Sequence, residues 1–535
     1  MSLDFNSKLA AVQSAITNRP PFVSGTLDVP EDDLKLYFGD VGNAHCINLG
    51  HATPDELATL AAACQPATFG VNKQDVLDET YRKAGKLDNN KFASLLKLEN
   101  YGLIDTIRDE LLQEGAVDKG IKYEVYKVNV YGKDSFFKPH KDTPRSKSMF
   151  GSLVIVFPTP HEGGALVLRE GDREWTFDYA AELAQAPAPE LARSQASENA
   201  HEQAPGSAGA HGPDVSFEEQ DPDVAYIADE PQDPKIAYIA FFGDIEHEVL
   251  PVTAGHRVTL TYNLYSDVAH TPSSSTPSEA ASGSTGDASG STEDEDAGEA
   301  EEVKGENEAS SGSAPEASLA NVGEATLDLA PTLPQSVVDE EARLRTALQT
   351  LLQDPALLPK GGYLAFGLRF MYPLDRKSPL QDLVPHMKGI DARIVRVCRS
   401  LGLEGQLKVV YEDDTEYEGN PRYGYYRYDP VKGGEQGVKL AMHRFVNYDQ
   451  VYEGDSFGEY LLHDGAVRVR NMGTEELHRE DDEDEHIPST EALWVTELTK
   501  INRVENQYIA YGNEADLTHE YGYLAYFVNV KREAN

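Results

Sequence analysis

Apolar and polar residues alternate along a long middle stretch of the chain, in YEVYKVNVY from Tyr123, SLVIVF from Ser152, ALVLRE from Ala165, EWTFDY from Glu174 and RVTLTYNLY from Arg257, while KIAYIAFF from Lys235 is apolar almost throughout. Period two is the mark of strands with one face buried, and a continuous apolar run fits a strand buried on both faces. The turns between them are rich in Pro and Gly, as in PTPHEGG, and no ten-residue helical pattern separates most of them. The pattern therefore predicts an antiparallel sandwich or barrel of about eight strands rather than a parallel sheet. Upstream, a short strand around His45–Leu49 precedes Thr53-Pro-Asp-Glu and LATLAAAC, which reads as a helix with Thr53 at its cap and Pro54 at its first position. Helical spacing returns around Lys91–Leu112. Toward the C-terminus, GGYLAFGLRFMYPL, the helical DARIVRVCRSLGL, LKVVYED, GVKLAMHRFVNYDQVY, ALWVTELTKIN and the final GYLAYFVNVK predict a second domain of mixed strands and helices.

The breaks in this patterning divide the chain. No Phe, Tyr or Trp lies between Ser266 and Gly362, and the Ser/Thr/Gly/Ala/Pro stretch from Thr271 runs into STEDEDAGEAEE, a composition that cannot bury enough apolar area to offset backbone ordering. The expected organisation is a support region of helices and strands at 1–120, a β domain at 121–265, a disordered acidic linker at 266–335 and an α+β domain at 336–535. An Ala/Pro/Glu/Gln-rich insert at 181–233 interrupts the β domain without ending it, since strands on both sides of it belong together. A further acid run, Glu475–His486, reads as a solvated loop, and Tyr511–Glu514 as a turn.

Across 535 residues, 47 Lys and Arg stand against 91 Asp and Glu, a net charge of −44, of which the 266–335 segment holds fifteen acids and one lysine. Such a surface repels phosphate backbones and anionic bilayers, which argues against nucleic acid or a membrane as partner. The N-terminus has no signal-peptide zones and no apolar run approaches the ~18–20 residues of a membrane span, so a cytoplasmic or nuclear protein is expected. Cys46, Cys64 and Cys398 are odd in number and far apart; they suggest neither disulfides nor a zinc cage and are expected to be small buried hydrophobes.

The chemistry-bearing residues cluster in the β domain. In Phe136-Phe-Lys-Pro-His140-Lys-Asp142, the His and Asp are two apart and share a face in extended chain. A third ligand is available in His247, just beyond KIAYIAFF. Two histidines and a carboxylate on one face of an octahedron leave three positions open, the arrangement suited to non-haem Fe(II) binding a cosubstrate and O2 together. Arg257 follows His247 by ten residues, with Pro251 and Gly255 turning the chain between them. A hairpin returning antiparallel beside the third ligand is expected there, and an inward guanidinium among Val258, Leu260 and Tyr262 needs an anion. His161 and His256 read as structural or exposed, and no second metal site is evident in the C-terminal portion.

In this ordered combination the chain resembles the Fe(II)- and 2-oxoglutarate-dependent dioxygenases, in particular their prolyl 4-hydroxylase-like branch: Tyr131, then His140 and Asp142, the glycine pair Gly163 and Gly164, then His247 and Arg257. The resemblance covers residues 121–265 and, more weakly, DVLDETYRKAGKLD before them. It implies a double-stranded β-helix, or jelly-roll, catalytic domain flanked by N-terminal helices, with the C-terminal mixed domain as a second unit. It also implies Fe(II) held by His140, Asp142 and His247, and 2-oxoglutarate paired through its distal carboxylate with Arg257. Tyr131 would offer its hydroxyl to the cosubstrate, though it reads equally as a core tyrosine, and Thr259 is a further candidate donor on the Arg257 strand face. One departure stands three residues before His140, where the branch often has Tyr and this chain has Phe137. The implied reaction spends 2-oxoglutarate and O2, gives succinate and CO2, and delivers a hydroxyl to a C–H bond, with ascorbate compatible as an accessory reductant. The implied substrate is a prolyl residue of a protein or peptide, and the acidic surface favours a basic one. Two alternatives remain at this point: a zinc hydrolase using the same three ligands, which gives Arg257 no task, and a non-catalytic interaction scaffold.

Overall fold

The computed structural model describes residues 3–71, 74–113, 120–184, 233–267, 333–413, 438–446, 457–474, 488–498 and 519–532. The alternating segments form two sheets. The larger has seven strands in the order Phe22–Asp28, Lys235–Phe242, Met149–Val156, Arg257–Asp267, Gly120–Tyr131, Gly85–Asp88 and Gln65–Pro66. The smaller has five, in the order Arg173–Phe177, Leu166–Glu170, Glu246–Val249, Phe136–His140 and Arg82–Lys83. All pairings in both are antiparallel. Inward residues of the two sheets, among them Leu153, Ile155, Leu166, Leu168 and Leu260, share one apolar core. Phe22 packs edge-on against both Trp175 and Phe177 across the gap. The result is a jelly-roll-like core.

One expectation about this core is corrected. The His247 strand pairs with the His140 strand and with Leu166–Glu170, whereas the Arg257 strand lies in the middle of the other sheet between Met149–Val156 and Gly120–Tyr131. They are not hairpin partners. The intervening Val252–Gly255 pairs with His161–Gly163, and Gly255, at φ +69°, helps turn the chain from one sheet to the other. Arg257 thus stands on the other sheet of the core rather than on the strand beside His247.

The predicted N-terminal cap is present in full: Thr53 Oγ1 accepts from Glu56 N while the Glu56 carboxylate accepts from Thr53 N, at the head of helix Pro54–Ala63. Lys91–Leu112 is not one helix. Phe92–Ser94 pairs as a strand with Leu36–Phe38, and Gly102 at φ +62° separates a 3-10 turn, Leu98–Tyr101, from helix Leu103–Thr106 and the π-helical turn Ile107–Leu112. Cys46 is exposed on its strand, against expectation, while Cys398 is buried and Cys64 half-buried. Cys46 alternates with Ile47 on the short strand Asn43–Asn48, and it is Ile47 that faces the core.

In the C-terminal portion, six strands close into a barrel in the order Gly362–Leu374, Thr490–Thr496, Val467–Asn471, Lys439–Met442, Gly405–Glu412 and Glu520–Val530. Thr490–Thr496 runs parallel to both its neighbours and the other pairings are antiparallel. Along Gly362–Leu374, Leu364, Phe366 and Leu368 join the core shared with the N-terminal sheets, and Ala365, between them, joins a separate small-residue cluster. Residues 1–269 and 331–535 form one compact unit. Its halves are joined by a two-pronged contact of Arg369 with Glu170 (2.7 and 2.6 Å), by Arg369 to the Arg19 carbonyl and by Gln13 to the Val495 carbonyl. Most of the expected insert and linker, together with Glu475–His486 and Tyr511–Glu514, lies outside the described residues. Among the described residues no helix is long and apolar enough to cross a membrane.

Candidate active site

His140 ends its strand and pairs across it with His247, so the two rings lie with centroids 4.2 Å apart. Asp142 follows the strand end, its N–H donating to the Gly243 carbonyl at 3.0 Å, which brings its Oδ1 to 3.8 Å from His247 Nε2. All three side chains are buried, at 6, 4 and 6 % exposure for His140, Asp142 and His247. Each imidazole sets its Nδ1 against a backbone carbonyl, His140 on Lys138 at 2.8 Å and His247 on Ile245 at 3.0 Å. A carbonyl oxygen only accepts, so in each ring Nδ1 carries a proton and Nε2 is the atom left to face a metal. Holding one ring nitrogen in this way orients histidines that use the other as a donor to a metal. Burial first, and the neighbouring His247 second, push the His140 imidazole well below its ordinary pKa, so it stays neutral. The Asp142 carboxylate is oriented by Ser152, whose hydroxyl donates to Oδ2 at 2.6 Å. The donor set, two imidazoles and an oriented carboxylate, thus has the chemistry that suits Fe(II). Among the described residues, no three such groups are already gathered tightly around a single point.

Phe137, where a hydroxyl was expected to be missing, stacks on His140 with ring centroids 3.5 Å apart and carries the Arg82 guanidinium 4.2 Å over its own ring. Arg82 is anchored by the Thr68 carbonyl and Asn129 Oδ1, and Tyr81 donates to the Pro139 carbonyl, so the DVLDETYRKAGKLD segment braces the ligand strand from outside.

Arg257 is buried, at 2 % exposure, and pairs across its strand with Tyr131, whose ring centre lies 5.5 Å from the guanidinium. Among the described residues no carboxylate or other acceptor bonds to it. Burial lowers its pKa, with Tyr131 and Tyr179 pulling the other way. Thr259 is buried two residues on, and so leaves the same face of the strand. Gly164, at φ +72°, leaves room for this side chain: a Cβ there would lie 3.0 Å from Arg257 Cδ and 2.7 Å from Val252 Cγ2.

Two residues of this neighbourhood, Tyr179 and Ser152, escaped the sequence reading. Tyr179, buried with its hydroxyl unbonded, stands within electrostatic reach of Arg257, and half-buried His161 does so as well, its pKa lowered by burial and by that guanidinium. Tyr179 adjoins the low-complexity insert and had no pattern to mark it. Ser152 did have a signal, a lone hydroxyl at an inward position of an apolar strand.

Residues 126–265, about a quarter of the chain, match the family model of the 2OG-Fe(II) oxygenase superfamily, a class of enzymes that use Fe(II), 2-oxoglutarate and O2. No curated protein matches the chain. Solved structures similar in part include a prolyl-4-hydroxylase of Pseudomonas putida, with 15% identity over 48% of this chain and 98% of that one at a TM-score of 0.24. Others are a 2OG-Fe(II) oxygenase family oxidoreductase of Burkholderia pseudomallei, with 15% identity over 50% and 80% at 0.18, and a prolyl hydroxylase of Trichoplax adhaerens in complex with a hypoxia inducible factor oxygen degradation domain peptide fragment, with 12% identity over 50% and 93% at 0.23. At such scores these likenesses decide nothing about this chain.

Proposed function

We propose that the chain is an Fe(II)- and 2-oxoglutarate-dependent oxygenase that hydroxylates a C–H bond, on a prolyl residue of a basic polypeptide. The observation that carries the reading is the buried guanidinium of Arg257, which among the described residues has no anion, in the same β core where His140 and Asp142 each lie against His247. A buried cation without a partner is costly, and a dicarboxylate supplies the missing charge. His140 and His247 would offer Nε2 and Asp142 its Oδ1 to the iron. Arg257 would pair with the distal carboxylate of 2-oxoglutarate, with Tyr131 and Thr259 as neighbouring hydroxyl donors. Once bound, the metal with its cosubstrate and O2 supplies the oxidising power for hydroxylation, with succinate and CO2 as coproducts. The protein orients the ligands through Lys138, Ile245 and Ser152, keeps His140 neutral and excludes water around Arg257. The prolyl substrate rests on the motif resemblance, and its basic character on the −44 charge, which attracts a cationic chain at long range.

Anaerobic addition of Fe(II) and 2-oxoglutarate to the full chain should raise a weak visible metal-to-ligand charge-transfer band, absent from His140→Ala. A folded wild type with no band would refute the reading. For the substrate, a cell extract incubated with the enzyme should gain 16 Da on prolyl peptides only when 2-oxoglutarate is present.

A further inference from the structure

The turn between the strands Lys235–Phe242 and Glu246–Val249 touches two of the three candidate ligands through its backbone. Gly243 accepts from Asp142 N, and Ile245 accepts from His247 Nδ1. Between them sits Asp244, 5 % exposed, whose carboxylate turns away toward the C-terminal half. There, Lys388 Nζ donates to its Oδ1 at 2.5 Å and Met371 N to its Oδ2 at 2.9 Å. Lys388 is itself buried, bonds the Met371 carbonyl, and lies about 5 Å over the rings of Phe242, Phe370 and Tyr372. Tyr521, from the last barrel strand, presses its hydroxyl against Gly243. A Cβ on that residue would lie 2.7 Å from the hydroxyl and 3.4 Å from Asp142 Cβ, so the absence of a side chain permits the approach.

A buried ion pair is weak evidence for stability, because well-packed apolar residues of similar size often do as well. What such a pair adds is a directional tie, here between a turn that orients Asp142 and His247 and a barrel that carries none of the proposed ligands. We propose that the C-terminal half is a working part of the metal site, with Lys388, at the head of helix Gly389–Ser400, and Met371, on the first barrel strand, acting through Asp244 as positioning groups that hold the Gly243–Ile245 turn against Asp142 and His247. This rests on the reading of those residues as metal ligands.

The test is Co(II) titration of the full-length protein, followed by visible absorption, alongside urea denaturation. Lys388→Met should weaken Co(II) binding at least about tenfold. Arg369→Met, which cuts a different tie between the same two halves, on Glu170 and the Arg19 carbonyl, should lose stability yet keep Co(II) affinity within about twofold of wild type. Should Lys388→Met not fold, the double variant Lys388→Met/Asp244→Asn removes both buried charges and should show the same selective loss. Wild-type Co(II) affinity in the folded Lys388 variants, or equal weakening by Arg369→Met, overturns the proposal and leaves the oxygenase reading standing. Failure of the wild type itself to bind Co(II) overturns both.

Discussion

Two buried arginines, one in each half of the molecule, solve the same electrostatic problem in opposite ways. Arg393, on helix Gly389–Ser400, is wholly enclosed, and burial lowers its pKa as it lowers that of Arg257. Around Arg393 the fold supplies the answer: Glu340 at 2.6 Å, the Gln113 amide oxygen, and Thr17 Oγ1 at 3.3 Å. Around Arg257, among the described residues, it supplies no hydrogen-bond acceptor, only the nearby Tyr131 ring and, within electrostatic reach, Tyr179. A chain can afford a desolvated guanidinium with no acceptor when something else arrives to neutralise it. The C-terminal half thus uses buried charge to fasten parts of the chain together, and the N-terminal half leaves one without an acceptor among the described residues, which in the proposed reading a ligand would supply.

This contrast predicts opposite results for removing the two cations. Arg393→Met leaves the Gln113 amide oxygen without its donor and Glu340 with Arg19 alone, and should lower unfolding free energy by about 1–3 kcal/mol, the usual cost of leaving a buried polar group unsatisfied. Urea midpoints measure it, and 2-oxoglutarate affinity should not change. Arg257→Ala strands no partner. Without cosubstrate its stability should be equal to wild type or higher, Fe(II) should still bind, and the apparent 2-oxoglutarate dissociation constant should rise about 30-fold or more, from the roughly 2–5 kcal/mol lost when one member of a buried charged pair is truncated. A destabilised Arg257→Ala with unaltered cosubstrate affinity would make this arginine a structural residue like Arg393 and dissolve the comparison.

The difference between the two arginines was only half legible in the sequence. Residues close in the chain speak through local rules: the i, i+2 spacing of His140 and Asp142, the alternation around Arg257, and the Thr53–Glu56 cap all appear in the structure where pattern placed them. Contacts between distant residues had no such signal. That Val252–Gly255 carries the chain from one sheet to the other, placing Arg257 on a different sheet from His247 instead of on the strand beside it, depends on which strands pair, and alternation is the same in either sheet. Asp244 and Lys388 are 144 residues apart and each looks like a surface charge when read alone. Lys91–Leu112 misled for the converse reason: its helical spacing is genuine, but Phe92–Ser94 gains more by pairing with Leu36–Phe38.

The finest probe of the comparison leaves both charges in place and alters only the space beside one of them. Gly164 is at φ +72°, where an L-residue costs about 1–2 kcal/mol, so Gly164→Ala should be modestly less stable from the backbone alone. Its methyl group would also sit 2.7 Å from Val252 Cγ2 and 3.0 Å from Arg257 Cδ, and real atoms do not remain that close. Val252 is fully buried and belongs to the packed core, whereas the Arg257 side chain, with no acceptor tying down its head, is the freer of the two to give way. The guanidinium should therefore shift off the line to the cosubstrate carboxylate, weakening 2-oxoglutarate by about tenfold, or 1.4 kcal/mol, less than deletion of the charge. Fe(II) binding should be unchanged. Titration of the charge-transfer band at fixed iron separates the two contributions, since backbone strain alone lowers the urea midpoint without moving the 2-oxoglutarate curve. A Gly164→Ala protein with a lowered midpoint and wild-type 2-oxoglutarate affinity would mean that Arg257 is held in place by its surroundings as firmly as Arg393.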